Sequence, residues 1–347
     1  MSNLTVWPIL DYCIKMQASD IHMSEWENLW FRVHGELAKV WWTPLNKMKA
    51  RQILLELLND NQEAVENFLQ TKDADFAYLH TDWTPFRVNV FYKLWRIAFV
   101  LRRISSEPKT IEELWLPKWV QKFVKAKWWL ILVTGPTWSW KSTSMISVLD
   151  AINKTRREHI LTIEDPTEFI FKDINSIFSQ REIGKDTKSF ASALRAAMRE
   201  DPDIVMVWEM RDKETVEAAM ELAETWHLVI STLHTAWSVQ TITRLVNFFH
   251  PELQNAVKYK LGDILFWVLS QRLIPKIWWW RVWIFEVMMM SPWIRNLIRS
   301  WDLVQINNQI EMGQSEWMIT MRNYADNLKN RWIVNEEDYI NYFQDDM

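Results

Sequence analysis

Apolar positions along the first hundred residues follow two rhythms. In VWPILDYCIKMQAS they recur at helical spacing and predict an amphipathic helix, whereas DIHMS and FRVHGELAKV alternate as half-buried strands do. Thr43 as N-cap and Pro44 at the first helical position predict a helix through KARQILLELLN, and NQEAVENFLQT predicts another. DADFAYLH, PFRVNVFYK and RIAFVLRRI then read as three successive strands, with turn residues from Thr81 to Pro85 and at Trp95.

The rhythm changes after SSEPKT, residues 105–110, a short polar stretch with a proline. Thr110 and Glu113 form a capping-box pattern that predicts a new helix. Beyond it, continuous apolar runs (WLILVTG, HILTIED, DIVMVWE, HLVISTLH) alternate with segments of helical spacing: KSTSMISVLDAINK, TKSFASALRAAMRE and KETVEAAMELAET. Strand and helix in turn imply a parallel sheet covered by helices. Residues after about 250 read as mainly helical, interrupted by the strand RVWIFEV. The expected fold class is therefore α/β, with one domain over 1–104, a linker over 105–110 and a second domain over 111–347.

Charge narrows the function classes. Lys and Arg number 40 and Asp and Glu 44, a net charge of −4, so the chain lacks the basic excess of a nucleic-acid binder. Cys13 is the single cysteine, which excludes an internal disulfide framework and fits a reducing compartment. The opening residues have no basic start and long apolar run of a secretory signal. No stretch approaches the roughly 18 apolar residues that span a bilayer. A soluble protein that docks on a membrane complex is expected.

Composition holds one anomaly: 5 Gly against 25 Trp. Glycine at its usual ~7% would give roughly 24 residues. Core tryptophans should recur at a period of 2 or 3.6. These stand instead at turn-like places: Trp83 in HTDWTPF, Trp226 in AETWHLV, Trp237 in HTAWSVQ, and Trp278 to Trp280 before Arg281. Such places favour the positive φ that glycine takes freely. Most of these tryptophans are expected to be glycines in the organism, as a gene whose UGA codons mean glycine would give. UGG codons at Trp138 and Trp140 would end that idea.

The segment from Leu130 to Thr143, LILVTGPTWSWKST, carries the central chemistry. With Trp140 as glycine it is G-x-x-x-x-G-K-S between an apolar strand and a helix, the context that makes a phosphate loop specific. Backbone N–H groups of Gly135, Pro136-Thr137-Trp138-Ser139-Trp140 and the helix start converge on phosphate, save proline, which has none. Lys141 reaches the β- and γ-phosphates, the Ser142 hydroxyl helps hold Mg²⁺, and Thr143 completes the element. As written, Trp138 and Trp140 put indole rings where main chain must approach phosphate. Carboxylates follow at two strand ends: Glu164, Asp165 and Glu168 in HILTIEDPTEF, and Glu209 in DIVMVWEMRD. Strand ends of one sheet edge converge on the ligand crevice, so these groups can position Mg²⁺ or water. His227 and His234 bracket HLVISTLH; seven apart, they point to opposite faces of a regular strand and do not share a metal. A histidine at a strand end beside the nucleotide can sense the γ-phosphate, and both are candidates for that contact.

GPTWSWKST, TIEDPTEF, REDPDIVMVWEMRD and HLVISTLHTA, in this order, resemble the Walker A, Asp box, Walker B and His box of the secretion ATPases. ASDIHMS, FRVNVF and SPWIRNLIRS narrow the resemblance to the pilus retraction ATPases, over roughly residues 5–330. The last resembles that family's A-I-R-N-L-I-R-E element, with Trp293 for Ala and Ser300 for Glu. The resemblance implies a PAS-like N-terminal domain, a RecA-like ATPase domain with C-terminal helices, and a homohexamer with ATP at subunit contacts. It implies Lys141 as the Walker lysine, Glu168 as polariser of the attacking water, and Glu209 as the Walker B glutamate on Mg²⁺ or its waters. His234 falls in the His box, and Arg87 and Arg102 match arginines that face the γ-phosphate. The implied setting is the cytoplasmic face of the inner membrane, docked on the pilus platform protein and pilus machinery, without nucleic acid. An assembly or secretion ATPase is the rival within the class; such motors carry an extra N-terminal domain and a four-cysteine zinc site. If Trp138 and Trp140 are genuine, a catalytically inactive ring scaffold is the alternative. A RecA-type nucleic-acid motor is disfavoured by charge.

Overall fold

The computed structural model describes residues 5–33, 36–40, 44–58, 62–82, 84–104, 108–114, 116–136, 141–277 and 281–344. Two compact units divide the chain. One is Met1–Glu107 with Thr167–Ile170; the other is Pro108–Pro166 with Phe171–Met347.

In the first unit, α1 (Trp7–Lys15) is followed by β1 (Asp20–Ser24), β2 (Leu29–Val33) and β3 (Glu36–Val40). Then come α2 (Lys47–Leu58), α3 (Gln62–Thr71), β4 (Asp73–Leu79), β5 (Pro85–Lys93) and β6 (Arg96–Arg103). FRVHGELAKV is thus two strands folded as a hairpin. The helix expected from Thr43 starts later: the Asn46 side chain accepts from the Lys49 N–H at 2.9 Å and caps α2, and Pro44 precedes the helix. Thr43 lies outside the described residues. The six strands pair antiparallel in the order β3-β2-β1-β6-β5-β4. Alternation sends Ile21, Phe31, Val88, Phe99 and Leu101 to one face, buried with Ile9 and Leu10 of α1 and Ile53 and Leu57 of α2. Each such side chain contributes about 1.5–3 kcal/mol by leaving water. The other face carries a row of directly paired residues, Arg32, Asp20, Arg102 and Arg87.

In the second unit the capping box at Thr110 forms both its hydrogen bonds, at 2.8 and 3.1 Å. It closes only a turn. Pro117 disfavours helical geometry at Leu116, so the helix waits for a 3-10 turn at Lys118–Val120 and α4 (Gln121–Lys125). Next are β7 (Trp129–Thr134), α5 (Lys141–Thr155), β8 (His159–Glu164), β9 (Ile177–Glu182), α6 (Phe190–Ala197), β10 (Ile204–Val207), α7 (Lys213–Glu224) and β11 (Leu228–Leu233). They are followed by α8 (Ser238–Asn247), α9 (Pro251–Ile264), β12 (Leu265–Pro275), β13 (Arg281–Met289), α10 (Pro292–Ser300), α11 (Leu303–Met312), α12 (Met321–Asn330) and α13 (Glu336–Gln344). The sheet runs β13-β12-β7-β11-β10-β8-β9, parallel throughout except between β12 and β13. The mainly helical reading of the region after 250 therefore missed β12, an eleven-residue strand that α9 enters without a glycine or proline between them. Leu130, Leu132, Leu161, Val205 and Val229 of the sheet share one core with Ala219 and Leu222 of α7 and Ile242 and Leu245 of α8.

Backbone conformation singles out the tryptophans. Of eleven described non-glycine residues at positive φ, seven are tryptophan: Trp26, Trp95, Trp129, Trp226, Trp301, Trp317 and Trp332. Only a few per cent of ordinary residues sit there. Trp237, expected at such a turn, has φ −134° at the N-cap of α8 instead. Trp83 and Trp278 to Trp280 lie outside the described residues.

Candidate functional site

Register brings the C-terminal ends of β7, β8, β10 and β11 to one edge of the sheet. Thr134 pairs with Leu233, Val207 with Ser231, and Val207 with Ile163. Parallel strands, each entered from a covering helix, place whatever follows them on the same side. Gly135 leaves β7 at φ 147°, a region closed to residues with a side chain, and donates its N–H to the Leu233 carbonyl at 3.3 Å. Pro136 follows; Thr137, Trp138, Ser139 and Trp140 lie outside the described residues. α5 then opens at Lys141, with Ser142 and Thr143 half-buried in its first turn. First-turn N–H groups of a helix have no intrahelical partner and carry the positive end of its dipole.

Lys141 is buried at its base. Its Nζ donates to the Gly135 carbonyl at 2.7 Å and the Pro136 carbonyl at 3.2 Å, and lies 3.2 Å from His234 Nδ1. His234, just past β11, turns its Nε2 to Glu209 Oε1 at 3.3 Å, and Glu209, just past β10, pairs through Oε2 with Arg211 at 2.7 Å. An ammonium has only donors and a carboxylate only acceptors. Nδ1 of His234 therefore accepts from Lys141, and the ring proton sits on Nε2, facing Glu209. The hydrogen bond to Glu209 pushes the Arg211 pKa further up. Arg211 was missed by sequence reasoning, although it stands two residues beyond Glu209 in EMRD. At the end of β8, buried Glu164 accepts from Thr162 Oγ1 at 2.6 Å and Gln180 Nε2 at 3.1 Å; Asp165 is exposed.

His227 does not join this group. It precedes β11, and its Nδ1 lies 3.1 Å from the Leu222 carbonyl and 3.1 Å from Thr225 Oγ1. Seven residues of strand at about 3.3 Å each separate it from His234 by roughly 20 Å. It lies against the end of α7, apart from the group around Lys141. Glu168 belongs to Thr167–Ile170, which groups with the first unit. Within that unit Arg102 Nε donates to buried Asp20 at 2.7 Å, and Arg87 Nε donates to both oxygens of Asp75 at 3.2 Å.

A lysine ammonium, a helix N-terminus, a serine hydroxyl and a carboxylate on one sheet edge match the chemistry of a magnesium-bound nucleotide. Among the described residues no three of His, Cys, Asp or Glu converge to hold a metal alone. A Mg²⁺ ion here would depend on phosphate oxygens and water as well as Ser142 and Glu209.

Comparison with known proteins decides the family. The model of the type II/IV secretion system protein family matches residues 3–279. The type IV pilus retraction ATPase PilT of Pseudomonas aeruginosa is 38% identical over 335 residues, covering 96% of both chains. The chain belongs to the PilT branch of the type II/IV secretion ATPases. The family member from Neisseria gonorrhoeae described as a twitching motility protein is 37% identical over 307 residues, covering 88% of this chain and 82% of its own. A crystal structure of the pilus retraction motor PilT with bound ADP superposes with a TM-score of 0.89 at 38% identity, covering 97% of this chain and 96% of that one. This ATPase is thus similar end to end to a nucleotide-binding motor, and among its described residues no helix is long and apolar enough to cross a membrane.

Proposed function

We propose that this ATPase powers type IV pilus retraction as a homohexamer docked on the cytoplasmic face of an inner-membrane pilus platform. The reading rests above all on the line Lys141, His234, Glu209 and Arg211 beside Gly135, in a chain similar throughout to PilT. In this reading the first unit is the PAS-like domain and the second the RecA-like ATPase domain. Magnesium would neutralise charge on the phosphates, held through Ser142 and waters on Glu209. Lys141 turns its ammonium from the Gly135 and Pro136 carbonyls to the β- and γ-phosphates. The first-turn N–H groups of α5 bind and orient the same phosphates. Glu168 orients the attacking water and takes its proton. Arg87 and Arg102 supply cations for charge that grows on the transferring phosphoryl group.

Glu168→Gln tests the reading. It should abolish turnover in a phosphate-release assay while nucleotide affinity, measured by calorimetry, stays within a few-fold. Unchanged hydrolysis removes Glu168 from the mechanism.

A further inference from the structure

We infer that the tryptophans at positive φ are glycines in the working protein, and with them Trp138 and Trp140 of the phosphate loop. Three helices carry the argument. α10 ends with Trp301 at φ 61°, its N–H donating to the Ile298 carbonyl at 3.2 Å while the Asp302 N–H reaches the Leu297 carbonyl at 2.9 Å. α12 ends the same way: Trp332 at φ 58° donates to Lys329 at 2.9 Å and Ile333 to Leu328 at 3.0 Å. After α7, Trp226 stands at φ 69° and His227 donates to Leu222 at 3.4 Å. The pair of bonds around a left-handed residue in α10 and α12, and the outer one of the pair after α7, mark the glycine-terminated helix end, and glycine fills that position because a Cβ there is strained. The β5–β6 hairpin repeats the message. Lys93 pairs with Arg96 across a two-residue turn with Leu94 at φ 47° and Trp95 at φ 66°, a geometry whose second position favours glycine. Trp95, Trp226 and Trp332 are 95%, 74% and 85% exposed, so no core burial compensates. Inside the fold, Trp267 adds a different sign: its buried indole N–H has no hydrogen-bond partner among the described residues, and the β12–β7 register shifts beside it.

Peptide mass spectrometry of the protein isolated from the cells that encode it reads these residues directly. Glycine at 95, 226, 301 and 332, and at 138 and 140, is expected; tryptophan at 301 and 332 overturns the inference. A second arm compares ADP binding by the full chain as written with the full chain carrying glycine at all six positions. Binding by the second alone supports the inference. Binding by the chain as written overturns its extension to the loop. Glycine in the native peptides without ADP binding leaves the inference standing and removes the ATPase reading instead.

A separate observation concerns Glu286, a carboxylate on β13 that is 5% exposed. Its Oε1 accepts from the Ser238 N–H at 2.8 Å, at the start of α8. Ser238 Oγ lies 3.5 Å from Ser270 Oγ, which accepts from Thr134 Oγ1 at 2.9 Å. All three hydroxyl residues are buried. Thr134 is the last residue before Gly135, and Ser238 follows the loop that carries His234. The geometry assigns Glu286 as a positioning residue that ties the root of the phosphate loop to the segment presenting His234. Burial raises its pKa, an effect that the Ser238 bonds and the Arg272 charge oppose. In the full chain with glycine at the six positions, Glu286→Gln keeps an acceptor at the same reach and should leave kcat near wild type. Glu286→Asp is one methylene short and should lower kcat roughly tenfold, the loss of one buried hydrogen bond, with KM for ATP little changed. An Asp variant as fast as wild type, or a Gln variant as slow as Asp, overturns the assignment.

Discussion

Replacing Trp332 by glycine should stabilise the second unit, and replacing it by alanine should not. Trp332 sits at φ 58° and is 85% exposed, so either change sacrifices little buried surface. Only glycine removes the Cβ. A side chain in the left-handed region costs about 1–2 kcal/mol, and glycine returns about 0.5–1 kcal/mol of that through the entropy of its unfolded chain. A net gain of about 0.5–1 kcal/mol remains, or ~1–4 °C in the melting midpoint of a unit this size. Trp95→Gly, at φ 66° and 95% exposed, should behave the same way in the first unit. Differential scanning calorimetry of the Gly and Ala variants at both sites gives the comparison. Equal midpoints for Gly and Ala would refute the backbone argument. Summed over the seven positions the net penalty is about 3.5–7 kcal/mol, against the 5–15 kcal/mol that holds a typical domain together. A chain with tryptophan at all seven would lose a large part of its stability.

Three further outcomes are expected. Lys141→Gln, made in the chain with the loop glycines, should weaken ADP binding about 10–100-fold by calorimetry through loss of charged hydrogen bonds to phosphate; unchanged affinity removes Lys141 from the site. Burial pushes the Cys13 thiol up to about 11, against a smaller opposing effect of Arg103. The native protein should therefore resist thiol reagents at pH 8 and react once unfolded, and the thiol's contribution to stability, full below its ordinary pKa, should fade as pH rises towards 11. Burial alone would raise the Asp20 carboxyl, but hydrogen bonds from Arg102 and Ser19 outweigh it and hold the group below its ordinary 3.8. Its contribution is thus present above that value and lost as pH falls through the lower folded one; Asp20→Asn should flatten the acid side of the unfolding curve of the first unit, and an unaltered curve would contradict the pairing.

Legibility in the sequence followed the strength of each local signal. β7, β8, β10 and β11 were legible because buried parallel strands read as unbroken apolar runs, and their shared direction put Glu164 and Glu209 at the sheet edge where β7 ends. β9, with the sequence IFSQRE, lies at the sheet edge and has too mixed a pattern to announce itself. β12 was hidden because α9 passes into it without punctuation. At Thr110 the local signal formed as expected and was overruled by a proline seven residues on. His227 and His234 could not be told apart for a different reason: a histidine at a strand end looks the same from sequence at either end, and only the direction of the chain through the sheet separates the two. Glu286 had a visible signal, a charge inside VWIFEVMMM, that pointed to no partner until the strands were paired.

The polar line at the sheet edge explains how one event at the loop reaches several residues. Among the contacts of Lys141 are two carbonyls and one imidazole nitrogen, all neutral acceptors. A phosphate oxygen carries a full charge, so an ammonium gains a charge–charge attraction there that a neutral carbonyl does not offer. In the proposed reading the ammonium would transfer to phosphate, and its departure would free the carbonyls of Gly135 and Pro136 together with His234 Nδ1. That nitrogen then lacks a donor while Nε2–H still faces Glu209, so the imidazole becomes the group that must find a new partner. Binding energy would be reduced by the contacts given up, and that reduction would be the coupling: in this reading, nucleotide at the loop changes the surroundings of His234 and Glu209. A glutamine at 141 would leave the carbonyls without an ammonium and His234 without this switch, which is why its effect should extend from affinity to turnover.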